Sequence, residues 1–115
     1  MKLDYDLIRD ILLYVEEQAD GHTNYLWENL YNKFPGETPD KLQYHKKYLI
    51  DSGMIDGNSR AFIDLTPYGH EYIGTIREDT IWEKTKSEMK SIGGSVSLDI
   101  IQKIAIHVVE KLFGL

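Results

Sequence analysis

Leu49-Ile50-Asp51-Ser52-Gly53-Met54-Ile55, followed ten residues later by Leu65-Thr66-Pro67-Tyr68-Gly69-His70, is the stretch whose reading decides the fold. A helix stopping at a glycine, two short strands around a tight turn, and a new helix opening on a threonine cap with proline in its first turn are all written there. Upstream, Thr38-Pro39 supplies the cap and first position of a helix expected over residues 38–52, with Gly53 as its left-handed exit. The strands are expected at 54–56 and 61–65, around the polar turn Gly57-Asn58-Ser59-Arg60. In the second strand the alternation sets Phe62 and Asp64 against Ile63 and Leu65.

Working outward, Leu3, Leu7, Ile8, Ile11, Leu12 and Val15 recur at helical spacing and predict an amphipathic helix over residues 4–18. Leu26, Trp27, Leu30, Tyr31 and Phe34 predict a second helix over 24–33. The aromatic content and shortness of that segment make a strand the competing reading. A fourth helix follows Thr66 through Tyr72, Ile73 and Ile76. The period then slips, so a kink or fresh start is expected near Asp79-Thr80, where Thr80 and Glu83 form a capping-box pattern ahead of Trp82, Thr85, Met89 and Ile92. Gly93-Gly94-Ser95 is the linker, and Ser97 caps a last helix running to about residue 113. The fold class expected is mainly α with a small β-hairpin, a winged helix-turn-helix plus a C-terminal helical extension. Its organisation is expected to be a core with an extended fourth helix over residues 1–92 and a Gly-linked helix over 93–115, packing on the core or on a second subunit.

At 115 residues with 42% hydrophobic content, one modest core is the expectation. The chain has no cysteine, which removes disulfides and thiolate metal sites and suits a cytoplasmic setting. Acids at Asp4 and Asp6 interrupt any secretory signal, and the apolar region over 98–115 carries too many polar residues for a membrane span. The net charge of −6 opposes a strong non-specific grip on nucleic acid. Residues 1–37 carry three basic and eight acidic side chains, residues 38–64 balance four against four, and residues 65–115 hold six against seven. The proposed reading helix and wing are therefore the least acidic region, without being a basic patch.

The chain resembles a family of small bacterial and phage proteins catalogued only as a domain of unknown function. The resemblance lies in the opening run Met1-Lys2-Leu3-Asp4-Tyr5-Asp6-Leu7-Ile8-Arg9-Asp10-Ile11-Leu12, in Tyr44-His45 ahead of Leu49 and Gly53, and in Leu65-Thr66 with Gly69-His70-Glu71. It continues through Ile76-Arg77, Asp79-Thr80, Trp82 and the Gly-Gly-Ser-Val-Ser run over 93–97. It implies a bacterial or prophage-encoded protein with a winged-helix-like core, and implies no activity. Relatives read as more strand-like over residues 22–34, whereas the Tyr-Leu-Trp-Glu-Asn-Leu-Tyr run here reads as helical.

On the third helix Leu42, His45 and Leu49 share one face, and Gln43, Tyr44, Lys47 and Asp51 the opposite one. In a recognition helix, Gln43 and Tyr44 would reach base edges and Lys41, Lys46 and Lys47 would contact phosphates, with Asn58 and Arg60 at the wing tip. The bland alternative is a solvated helix face, and Asp40 and Asp51 weigh on that side. His45 reads as a core histidine bonded to a carbonyl or carboxylate. His70-Glu71 lacks the second histidine that a zinc-protease helix needs, and His22 and His107 have no partners at ligand spacing. No nucleophile elbow, phosphate loop or cofactor motif is present in the sequence, so neither an enzyme nor a cofactor is expected. The expected function is a winged-helix DNA-binding protein, with transcriptional regulation as its role, acting on double-stranded DNA. The alternative is a non-catalytic module that engages a host or phage protein. The apolar width of the last helix suggests a homodimer face of Leu98, Ile101, Ile104, Ala105, Val108 and Leu112.

Overall fold

A computed structural model describes residues 1–115. The protein is mainly helical with a small antiparallel sheet, and its chain divides into two compact units, Met1–His70 and Glu71–Leu115. The first unit opens with α1 (Tyr5–Gln18), whose cap is Asp4. Its carboxylate accepts the Leu7 amide at 3.0 Å, and the helix buries the apolar stripe Leu7, Ile8, Ile11, Leu12 and Val15.

Residues 24–33 split between the two readings of the sequence. Tyr25–Leu26 form β1, and only Glu28–Lys33 form α2. The helix expected from residue 24 is lost for two reasons. Asp20 gathers the His22 and Thr23 amides and the Thr23 hydroxyl into a turn. The open edge of the hairpin then takes Tyr25 and Leu26 opposite Phe62 and Ala61, with Tyr25 stacked on Phe62 at 5.6 Å. An unpaired strand edge is a strong demand on any extended neighbour, and it outweighs a weak helical period.

α3 spans Pro39–Asp51, with Thr38 accepting the Lys41 amide and Gly53 at φ 78° ending it. β2 (Ile55–Gly57) and β3 (Ala61–Leu65) pair antiparallel in a sheet of order β1-β3-β2. The expected alternation in β3 fails at one point. Asp56 faces Asp64 but Gly57 faces Phe62, so Ile63 is left over as a bulge, and Phe62 and Leu65 both become buried. Gly57 is required at this crossing, because a Cβ there would lie 2.7 Å from the Ala61 carbonyl oxygen.

α4 (Pro67–Ile76) starts where expected. The Thr66 hydroxyl accepts the Gly69 amide and donates to the Gly53 carbonyl, while the Thr66 amide donates to the Met54 carbonyl at 3.0 Å.

The second unit continues from Glu71. The break falls as expected after Ile76, and α5 runs over Asp79–Ile92. The Thr80–Glu83 capping box does not form. Glu78 is the cap residue and makes no side-chain cap bond, and Thr80 already lies inside the helix. Asp79 in the first turn suits the positive end of the helix dipole without a box. Trp82, Thr85 and Met89 are buried as one face, but Ile92 is not. Gly93 and Gly94 both have positive φ, joining α5 to α6 (Leu98–Leu112), whose cap Ser97 accepts the Ile100 amide. α6 packs along α5 and buries Leu98, Ile101, Ala105 and Val108. No helix is long and apolar enough to cross a membrane.

Candidate nucleic-acid interface

α3 is positioned from within the first unit by a buried histidine. His45 Nδ1 lies 2.8 Å from the Lys41 carbonyl oxygen one turn earlier, and its Nε2 accepts the Asp4 backbone amide at 2.8 Å. A carbonyl on one ring nitrogen and an amide donor on the other define the neutral ring protonated at Nδ1. The start of α1 is thereby fastened to the middle of α3.

The turn of the hairpin is equally tied down. Asn58 Oδ1 accepts the Arg60 and Ala61 amides at 2.9 and 3.0 Å. The Asn58 carbonyl accepts Trp27 Nε1 at 2.8 Å, the Ser59 carbonyl accepts Lys46 Nζ at 2.9 Å, and the Arg60 carbonyl accepts the Trp27 amide at 3.0 Å. Three successive tip carbonyls thus point inward, onto α3 and onto Trp27. The tip is pre-shaped, with the Arg60 side chain left on the outside.

Between α3 and this tip runs a groove of about 400 Å³, lined by Gln43, Lys46, Lys47, Ile50, Asp51, Gly57, Asn58 and Ser59. The nominated residues fare differently. Gln43, Tyr44 and Lys47 are exposed on the outer face of α3, and Tyr31 donates its hydroxyl to Gln43 Oε1 at 3.2 Å. Lys47 pairs with Asp51 one turn along. Lys41 is held between Asp4 at 2.8 Å and Glu37 at 3.0 Å, and those two carboxylates raise the pKa of its ammonium.

Lys46 is only 3% exposed and lies 5.6 Å from the centre of the Trp27 ring; burial lowers the pKa of its ammonium. Its expected phosphate contact gives way to a clamp on the tip. The sequence carried a sign of this, since Lys46 is four residues after Leu42 and three before Leu49, on the buried stripe itself. Ile50 and Ser59 also line the groove, and Trp27 and Tyr31 support it. Ile50 is legible from spacing, one turn after Lys46 and Lys47 on α3, whereas no spacing rule connects Trp27, Tyr31 or Ser59 to α3, because they meet it only through tertiary packing. Asn58 organises the tip through its backbone and side chain, and Arg60 makes no ion pair within the chain.

His70 lies 3.6 Å from Asp64 and 3.9 Å from Glu16 and is half exposed. No group of three or more His, Cys, Asp or Glu side chains is placed to hold a metal ion.

The profile of a family described as a hypothetical protein, DUF2513, matches residues 2–95. The chain belongs to the DUF2513 family. A Haemophilus influenzae relative, described as an uncharacterized protein, is 33% identical over 122 residues, covering 99% of this chain and all of the relative. No solved structure matches the chain. The segment of this DUF2513 protein that matches the family contains α3, the groove and the tip, and ends just before α6.

Proposed function

We propose that this DUF2513 protein is a winged-helix DNA-binding protein of bacterial or prophage origin, a cytoplasmic transcriptional regulator without catalytic activity. In this reading α2 and α3 form the helix-turn-helix, α3 enters the major groove, and residues 57–60 are the wing. The observation that carries it is the outer face of α3. Gln43, Tyr44 and Lys47 are exposed on α3, and Gln43 and Lys47 line the groove shared with the pre-shaped tip that precedes Arg60. Gln43 suits an adenine edge, and Lys47 and Arg60 suit phosphates on either side.

The electrostatics of this face set a limit that binding must respect. With Lys41 and Lys46 engaged internally, the cations for phosphates are Arg60 and Lys47, the latter once its exposed pair with Asp51 opens. The slope of log K against log salt is then about −2 for each copy, at about −0.9 per phosphate neutralised. Specificity has to come from base edges, since the counterion term is small.

Selection of bound fragments from sheared host and phage DNA, at low and moderate salt, tests this. A shared sequence whose binding falls with that slope supports the reading, and no enrichment at either salt refutes it. One observation favours a second reading, a protein-interaction module on the same scaffold. Lys47 is balanced by Asp51, and Tyr44, Tyr48 and Tyr31 make the α3 surface aromatic and nearly neutral, the composition of a protein contact. Such a contact would be nearly indifferent to salt.

A further inference from the structure

In the second unit the four buried residues of α6 leave Ile100 and Ile104 on its flank. With Ile92 from the end of α5 they floor a groove of about 290 Å³ between the two helices. Ile92 is 58% exposed and Ile100 40%. Leaving isoleucines in water at one place, rather than scattered, is the mark of a surface that is covered. Glu88 stands on the α5 rim of the groove, and Lys103 and His107 stand on the α6 rim. Glu88 and Lys103 line the same groove, yet neither makes an ion pair within the chain.

We propose that this groove is a homodimer interface whose occupant is the same groove of a second copy. An apolar strip with an acid on one rim and a base on the other is complementary to itself. A twofold axis running along the groove lays α5 of each copy over α6 of the other, bringing each Glu88 to a Lys103 and merging the two isoleucine strips. The opposed rims disfavour a polyanion such as nucleic acid at this face. The interface differs from the stripe expected from the sequence. Leu98, Ile101, Ala105 and Val108 are buried inside the chain and Leu112 lies outside this groove, so of that stripe only Ile104 lines it. The inference stands apart from the DNA-binding reading, because its test contains no DNA.

The test is the mass of the full-length chain by light scattering behind a sizing column, followed through a dilution series. The expected result is twice the 13.4 kDa chain mass at high micromolar concentration, falling toward one copy on dilution. Glu88→Lys and Lys103→Glu each place like charges opposite one another and weaken association by about tenfold or more. The double variant Glu88→Lys with Lys103→Glu restores the pairing and the dimer. Circular dichroism checks that each variant keeps its helix content, and Ile100→Lys, at an exposed position, reads the same face should a charge reversal disturb folding. A wild-type monomer at high micromolar concentration overturns the proposal. So does a dimer unaffected by either reversal and by Ile100→Lys, or a double variant that stays monomeric.

Discussion

Gly69→Ala separates helix propensity from tertiary fit. Gly69 sits in the first half of α4, where alanine is better than glycine by about 1 kcal/mol on intrinsic propensity alone. In the folded protein a Cβ on Gly69 would lie 2.1 Å from the Met54 carbonyl oxygen and 3.1 Å from its carbon. The Met54 oxygen cannot swing aside, because it accepts the Thr66 amide at 3.0 Å. Relief therefore requires the first turn of α4 to lift away by about 1 Å, an estimate from ordinary contact distances.

That movement breaks the Thr66 amide bond to Met54 and the Thr66 hydroxyl bond to Gly53. The first costs about 1–3 kcal/mol because the Met54 partner is buried, and the second, which is exposed, about 0.5–1 kcal/mol. After the propensity gain, a net loss of about 0.5–3 kcal/mol is expected. Gly74, in the same helix, is the control. A Cβ there meets nothing within 4 Å, so Gly74→Ala is expected to stabilise by about 0.5–1 kcal/mol. Equilibrium unfolding in urea, followed by circular dichroism, reads both. At a slope of about 1–3 kcal/mol per molar the Gly69→Ala midpoint falls by about 1 M, and the Gly74→Ala midpoint rises by a smaller amount. A Gly69→Ala protein as stable as wild type, or more stable, would refute the reasoning.

The remaining expectations concern the supports of α3 and the tip. Burial alone would raise the Asp4 pKa, but the Lys41 ammonium and the Leu7 amide outweigh it and hold the carboxyl below its ordinary value. Asp4 therefore contributes stability above about pH 4 that is lost as the pH falls through the lower folded value, and Asp4→Asn should flatten the acid limb of a stability-against-pH curve. Trp27→Phe keeps an aromatic side chain but removes the indole N–H from the Asn58 carbonyl and some buried volume, and is expected to cost about 1–3 kcal/mol in urea unfolding. In DNA titrations Lys47→Glu should weaken binding at every sequence, and Gln43→Ala should change sequence preference. Lys46→Met should leave the salt slope of log K unchanged, because its amine is already bound to Ser59, while Arg60→Ala should reduce that slope by about 0.9. Equal behaviour of Lys46→Met and Arg60→Ala would show that the buried lysine is not a clamp.

Helix ends were legible wherever the signal lies within one turn of chain. Thr38, Thr66 and Ser97 act at the positions read for them because a cap bonds an amide three residues away, and Gly53 does so because its positive φ needs no partner at all. Thr80 was the exception, since a Thr-x-x-Glu pattern also fits the interior of a helix that has already begun. β1 was legible only as an ambiguity. A helical period over residues 24–34 and a strand are both written there, and the edge of β3, some 35 residues on by its register, chooses between them for Tyr25 and Leu26.

The sequence by itself determined the helical character, the hairpin and the outward face of α3, since each follows from periodicity and from neighbours a few residues apart. Only the tertiary structure decided which cations remain available to a ligand. Lys46 reaches a carbonyl 13 residues away, and Lys41 reaches Asp4 across the space between α3 and the start of α1. Such pairings are absent from any local pattern, because the chain must close both loops before the partners meet.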